Sequence, residues 1–241
     1  MKKLRRMVTN EIGAEEISIM QMSDSFFPTG MYTMSNGLEA LFYSDKKVNG
    51  AKGLRDLIRV YVEHQIGPAD CAALGNSYGY AEDLDFEKLL EADEMLFSMK
   101  LVREIREAAA RSGNQLLRCV GSFITHHEIL NKYQEATKAR LASGVYPVAL
   151  GVVSSTLRIP KRKAGLIMLY AFTVSLVGAA LRLGMVQHLE GQRIIHELKP
   201  SMLNAVNNNI DRPLTSMWQF VPDIDIIQMA HERMGSKMFI T

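Results

Sequence analysis

The sequence is poor in cysteine and nearly balanced in charge. Only Cys71 and Cys119 occur among 241 residues, and neither belongs to a C-x-x-C pair or a Cys/His quartet. This excludes a disulfide framework and favours two reduced core thiols. The 28 basic and 26 acidic residues leave a net charge of only +2. Because nucleic-acid binding depends on concentrated positive charge, this balance gives no support for a nucleic-acid partner.

The start of the chain lacks the apolar run of a secretory signal. Its first 16 residues include a basic stretch, but Glu11, Glu15 and Glu16 are atypical of a transit peptide. We therefore predict a cytoplasmic protein in which residues 1–16 are flexible.

The motifs of common nucleotide-binding and hydrolytic enzymes are also missing. The sequence has no P-loop, no G-x-G-x-x-G, no G-x-S-x-G and no H-E-x-x-H. His126-His127-Glu128 and His231-Glu232 are the local metal candidates, but adjacent side chains on a helix point about 100° apart and do not easily chelate one ion. We predict that the protein is not an enzyme and holds no metal or cofactor. The alternatives are a small helical enzyme with a scattered His/Glu site and direct metal binding.

Helical periodicity dominates what is present. Apolar residues repeat at i, i+3 and i+4 over 54–62, and Gly67-Pro68 is predicted to end this helix. Further amphipathic helices are predicted over 115–124 and 131–141.

A long helix is predicted from residue 86 onward. Its apolar stripe extends over 86–109, and Asp83 or Asp85 is positioned as its N-cap. Gly113 falls inside the same predicted helix, where the missing side chain permits a close backbone crossing.

Strand signals are few. Residues 148–153 are compatible with one short strand, and the pattern between 199 and 222 weakens to an irregular segment or short helices. We predict a single all-α, helical-bundle-like domain over 1–241.

Residues 164–181 form an uncharged stretch of 18 residues, at the short limit for a membrane span. Gly165, Ala171, Ser175 and Gly178 are small residues that suit a helix packed on all sides by other helices. Basic residues stand at both ends of the stretch, so they give no orientation in a bilayer. We predict a central buried helix, with a membrane anchor as the alternative.

The segment 23–39, SDSFFPTGMYTMSNGLE, is too apolar for an idle loop and too broken for one regular element. Two interpretations are open. The glycines and proline hold Tyr32, Met34 and Asn36 rigidly in a protein interface, or the glycines permit a turn in which Phe26, Phe27 and Tyr32 fill the core.

This segment resembles the signature of the UreF family of urease accessory proteins, P-x-G-x-[FY]-x-x-S-x-G-L-E. The matching residues are Pro28, Gly30, Tyr32, Ser35, Gly37, Leu38 and Glu39. The resemblance continues in register through Arg106, Gly113, Pro147-Val148-Ala149-Leu150-Gly151, Gly191-Gln192, Pro222, His231 and Glu232, with Lys237-Met238-Phe239 in place of an R-L-F ending.

The resemblance implies an all-α homodimer that is not itself a GTPase. It implies three partners: a nickel-carrying, UreG-like GTPase, a UreD-like protein (UreH-like in some organisms) and apo-urease. It also implies a role as scaffold and regulator during nickel insertion and urease maturation. Arg6, Arg55 and Arg106 are candidates for an arginine that acts in trans on the GTPase.

The resemblance further implies that the tail, residues 231–241, binds the UreD-like protein. The predicted partner-binding residues are Tyr32, Met34, Asn36, Glu39, His231, Glu232, Lys237, Met238 and Phe239.

Overall fold

The computed structural model describes residues 13–44, 48 and 50–241. Most of the predicted flexible segment, including Arg6, lies outside them. Helix α1 already begins at Ala14, so residues 14–16 are helical.

The described chain is built from helices and contains no strand, which confirms the predicted all-α class. The α-helices are α1 (Ala14–Ser23), α2 (Leu38–Tyr43), α3 (Gly50–Tyr61), α4 (Ala72–Glu82), α5 (Phe86–Met99), α6 (Arg103–Gly121), α7 (Glu128–Lys138), α8 (Tyr146–Thr156), α9 (Lys161–Arg182), α10 (His188–Asn209) and α11 (Pro222–Glu232). A π-helical segment (Val62–Cys71) joins α3 to α4, and 3₁₀ turns occur at Met31–Thr33 and Leu214–Ser216.

Helix α9 lies at the centre of the fold, as predicted. It packs against α1, α4, α8 and α10 and against the Met31–Thr33 turn. Among the described residues it is the one helix long and apolar enough to cross a bilayer, but 67% of its apolar window is buried inside the fold. This burial is typical of the core helix of a globular protein.

The small residues of α9 are not all packed. A Cβ atom at Gly165 would lie 3.2 Å from the side chains of Val206 and Ile210, so this glycine permits a close approach of α10. A Cβ atom at Gly178 would meet only the Arg182 guanidinium, 4.0 Å away. The expectation that Gly178 is enclosed by other helices is therefore wrong.

Gly67-Pro68 does not end a helix, contrary to the prediction. The chain remains helical from α3 to α4 because it widens into the π-helical segment, which contains Pro68. Wide turns of this kind change the hydrogen-bonding pattern locally, and here they accommodate a residue with no N–H to donate. Gly67 lets the segment approach α10, since its Cβ would lie 3.3 Å from that of Ala205.

The predicted long helix is in fact two helices, α5 and α6, and residues 115–121 belong to α6. Asp85 caps α5, as predicted, by accepting a hydrogen bond from the Lys88 N–H at 3.2 Å. The break follows Met99 because Lys100 takes an extended conformation and inserts its ammonium group into the core, 2.8 Å from Asp70. No local pattern predicts such a buried ion pair.

The predicted close crossing at Gly113 is confirmed. A Cβ atom there would collide with the Gly144 carbonyl oxygen and would lie 2.7 Å from the Tyr146 nitrogen. The possible strand 148–153 is helical and lies within α8, and 199–209 is the second half of α10. The predicted irregularity is confined to residues 210–221.

Candidate partner-binding site

The broken character of the signature segment, residues 28–39, follows from its backbone. Gly30 and Gly37 have φ angles of 81° and 88°, in the left-handed region that glycine adopts without a steric penalty. Gly37 also permits the approach of α11, because its Cβ would lie 2.9 Å from the Gln228 side chain. The segment is therefore a defined turn structure that leads into α2.

Helix α9 holds this segment in place through two polar side chains. The Ser175 hydroxyl donates to the Met31 carbonyl oxygen at 2.6 Å. The Arg182 guanidinium donates to the Tyr32 carbonyl oxygen, also at 2.6 Å. The Tyr32 ring, which is 61% exposed, is thus carried on a fixed backbone.

The tail is docked along the signature segment. The Ile240 N–H donates to the Thr33 carbonyl oxygen at 2.9 Å, and the Ser35 N–H donates to the Thr241 main-chain oxygen at 2.8 Å. The Ser35 hydroxyl donates to the same Thr241 oxygen. These bonds join the two regions that the sequence singled out separately.

Glu39 anchors the tail from inside the fold. Its buried carboxylate accepts hydrogen bonds from the N–H groups of Met238 at 2.7 Å and Phe239 at 3.1 Å. Its Oε2 also lies 3.0 Å from Nε2 of His231. Burial by itself raises the pKa of Glu39, but these hydrogen bonds outweigh it, so that the pKa lies below its usual value.

His231 is fully buried between two carboxylates. Its other ring nitrogen, Nδ1, lies 2.7 Å from Oε2 of Glu104 on α6. Both ring nitrogens can donate at once only in the protonated imidazolium. The Lys237 ammonium contacts the second Glu104 oxygen at 2.8 Å, and Glu232 accepts from the Glu104 N–H at 2.7 Å. This network joins α2, α6, α11 and the tail.

Arg182 stacks with two aromatic rings. Its guanidinium carbon lies 4.0 Å from the ring centroid of Tyr32 and 4.4 Å from that of Phe239. Phe239 is buried, whereas Tyr32 is exposed. Partial burial lowers the pKa of Arg182, but a guanidinium remains charged in a protein.

A surface cavity of about 540 Å³ opens beside this site. It is lined by Phe26, Tyr32, Tyr146 and Val174, among others. Phe26 is 90% exposed at its edge, so neither Phe26 nor Tyr32 fills the core. The core interpretation is therefore wrong for these two residues, whereas Phe27 is half-buried and packs against the core.

Comparison with known proteins identifies the family. The UreF family model matches residues 48–199. A urease accessory protein UreF of Trichodesmium erythraeum is 31% identical over 97% of this chain and 99% of its own length. The UreF proteins of Bacillus sp. (strain TB-90) and Paenarthrobacter aurescens are 27% and 28% identical over 93% and 94% of this chain, each over 98% of its own length.

The chain belongs to the UreF family of urease accessory proteins.

The UreF family model begins after the signature segment and ends before the tail. A UreF protein is an accessory protein and not an enzyme, so the predicted non-enzymatic class is correct.

The predicted partner-binding residues of this UreF chain fall into three groups by burial. Tyr32, Lys237 and Met238 are exposed, and Met34, Asn36 and Glu232 are half-buried. Glu39, His231 and Phe239 are buried, so in this structure they position other residues rather than face a partner. Whether the set binds partners stays a prediction.

Sequence reasoning missed Glu104, Ser175 and Arg182. Each reaches the UreF signature segment or the tail from a distant helix, so no local pattern reveals it. The two arginine candidates that the structure describes are engaged within the chain. Arg55 pairs with Asp56 and Glu197, and Arg106 donates to the Lys100 carbonyl oxygen.

The two local metal candidates, His126-His127-Glu128 and His231-Glu232, belong to no metal-binding cluster among the described residues. Within the described ranges, no group of three or more His, Cys, Asp or Glu side chains is arranged to hold an ion. His126 is exposed, and His127 Nδ1 lies 3.3 Å from the Thr156 hydroxyl.

Proposed function

We propose that this UreF chain is a scaffold in urease maturation and that it regulates a nickel-carrying, UreG-like GTPase. In this proposal it acts in the cytoplasm as a homodimer, together with a UreD/UreH-like protein and apo-urease, and assists nickel insertion. Membranes and nucleic acid are not among its partners. The family supports the role in urease maturation. The partners, the homodimer and the nickel step come from the resemblance to that family, and the surface described above supports protein binding.

The observation that carries the proposal is the surface built from the signature segment and the docked tail. It presents exposed Tyr32 and exposed Met238 on two segments joined by backbone hydrogen bonds. Aromatic and methionine side chains are enriched in protein interfaces. A backbone that is already fixed lowers the ordering cost of binding. We assign Tyr32 to the GTPase and the exposed tail residues to the UreD-like protein.

The test is reconstitution with purified components. The full chain is mixed with the UreG-like GTPase and the UreD-like protein, and complexes are separated by size-exclusion chromatography with light scattering. We expect one assembly that contains all three proteins and two copies of this chain. A well-folded chain that elutes alone under every mixing condition would contradict the scaffold function.

Two measurements on the isolated chain distinguish a scaffold from a direct nickel carrier or a GTPase. Calorimetric titration with nickel is expected to show no stoichiometric binding. GTP turnover is expected to be absent, because the sequence has no P-loop to hold the β- and γ-phosphates. Tight stoichiometric nickel binding would support the carrier function instead.

A further inference from the structure

Arg182 stands where the two parts of the proposed surface meet. It is the last residue of α9, and its Nε donates to the Gly178 carbonyl oxygen at 3.1 Å. Its Nη2 donates to the Tyr32 carbonyl oxygen at 2.6 Å. These bonds fix the guanidinium in position on the central helix while Tyr32 and Phe239 stack on it.

The two rings are linked through this guanidinium. Among the described residues, Tyr32 and Phe239 form no ring pair with each other. A guanidinium stacks well on aromatic faces because it is planar and weakly hydrated. If one ring moves away, the guanidinium gains water and freedom, and its contact with the other ring weakens. The position of each ring therefore depends on that of the other.

We propose that Arg182 is a positioning residue that couples exposed Tyr32 to the docking of the tail. A protein bound at Tyr32 strengthens tail docking, and a protein bound at the tail holds Tyr32 in place, because such coupling is reciprocal. The identity of the bound proteins rests on the proposed function, whereas the coupling is a property of the isolated chain.

The backbone bonds between Thr33 and Ile240 and between Ser35 and Thr241 also join the two segments. These bonds do not depend on the Tyr32 side chain. Side-chain substitutions therefore separate the contribution of Arg182 from that of the backbone pairing.

The experiment is a double-mutant cycle with hydrogen exchange at the Ile240 amide as its readout. Tyr32→Leu is made in the wild-type chain and in Arg182→Met, which retains an unbranched side chain but no planar cation. In the wild-type background, Tyr32→Leu is expected to lower protection of the Ile240 amide about fivefold, as for one partly exposed cation–π contact. In the Arg182→Met background, Tyr32→Leu is expected to change nothing at Ile240.

Two outcomes would overturn the proposal. One is unchanged Ile240 protection in Tyr32→Leu, and the other is an equal loss in both backgrounds, since the coupling would then bypass Arg182. Arg193→Met, at an exposed position of α10, is the matched control and is expected to leave the exchange unchanged. If Arg182→Met fails to fold, Arg182→Gln replaces it, because its unbranched, neutral amide side chain carries no cation to attract the rings.

A second arm adds the GTPase. It is expected to raise Ile240 protection at least fivefold in the wild-type chain and to have no effect on it in Arg182→Met. If the GTPase does not bind the wild-type chain, the proposed function fails, while the cycle on the isolated chain still decides the coupling.

Discussion

Tyr32 is the side chain of the signature segment that a partner would reach most directly. Its ring is 61% exposed. We expect Tyr32→Ala to weaken GTPase binding about thirtyfold, the effect of losing about 2 kcal/mol at an interface centre. The free energy of unfolding should fall by no more than about 1 kcal/mol, because only a partly exposed stacking contact is lost. Calorimetric binding and a thermal melt on the same preparation measure both effects.

The control for this prediction is Phe123→Ala, which removes an exposed aromatic ring just after α6. It should alter neither binding nor the melt. If Tyr32→Ala instead lowers stability by several kcal/mol while binding per folded molecule is normal, Tyr32 is a packing residue.

Glu39 makes tail docking sensitive to acid. The hydrogen bonds from the tail and from His231 lower its folded pKa below the reference value of 4.5. The stability that Glu39 contributes is therefore complete above pH 4.5 and is lost as the pH falls through the lower folded pKa. The free energy of unfolding of wild type and of Glu39→Gln is measured with urea from pH 7 to pH 3. The difference between the two proteins should become smaller below pH 4.5.

Glu63→Gln, at an exposed glutamate, is the control and should change the free energy of unfolding by no more than about 0.5 kcal/mol. If the difference in the free energy of unfolding between wild type and Glu39→Gln instead becomes larger on acidification, the Glu39 carboxylate is destabilised in the folded chain. Glu104, Lys237 and His231 belong to the same polar network as Glu39, and they are unchanged in both variants.

For individual residues, the sequence motif identified some of the side chains that hold the tail and missed the others. Ser35 and Glu39 belong to a recognisable motif, and both prove to hold the tail. Glu104 and Arg182 complete the same site from α6 and α9. Their roles depend on how distant helices pack, and a local pattern does not contain that information.

Apolar periodicity predicted that a helix is present better than it predicted the residues at which the helix begins and ends. Helix α7 lies close to its predicted range because its apolar stripe is regular, and α9 lies close to its predicted range because its uncharged run is long. The errors occur where tertiary contacts override local preference. Pro68 continues in a π-helical segment packed against α10, and Lys100 interrupts a regular stripe because its ammonium group pairs with buried Asp70.

Two glycines of α4 allow a prediction about helix packing in which one substitution is the control for the other. A Cβ atom at Gly75 would collide with the Ile210 carbonyl oxygen, whereas a Cβ atom at Gly79 has no described atom within 4 Å. Gly75→Ala should destabilise the chain by about 1–3 kcal/mol or more, because backbone must move to relieve the overlap. Gly79→Ala should stabilise it by about 0.4–1 kcal/mol, since alanine loses less backbone entropy in a helix.

Chemical denaturation of the two variants beside wild type measures both changes. Equal effects of the two substitutions would show that the contact between α4 and the end of α10 is looser than the structure indicates. Because helix propensity changes by the same amount at both positions, the difference between the variants isolates this packing.

In the whole molecule, the tail behaves as part of the fold. The sequence predicted an apolar, partner-binding tail over 231–241, but not that His231 and Phe239 would be buried against the signature segment. Truncation after Ala230 would remove these buried groups and leave Glu39 without its donors. It would therefore mix loss of structure with loss of a partner contact.

Met238 and Phe239 offer a sharper comparison, because they are adjacent in the tail but differ in burial. Met238 is 61% exposed, whereas Phe239 is 3% exposed and stacks on Arg182. Met238→Ala should reduce co-purification with the UreD-like protein and leave GTPase binding unchanged. Phe239→Ala should undock the tail and weaken both interactions, because Tyr32 then loses the support transmitted through Arg182.

Pull-down with each partner separately, combined with hydrogen exchange at Ile240, tests this difference. If both variants bind both proteins as wild type does, the tail lies outside the interfaces. If Met238→Ala weakens both interactions equally, the two partners share one surface, and the division between the signature segment and the tail is wrong.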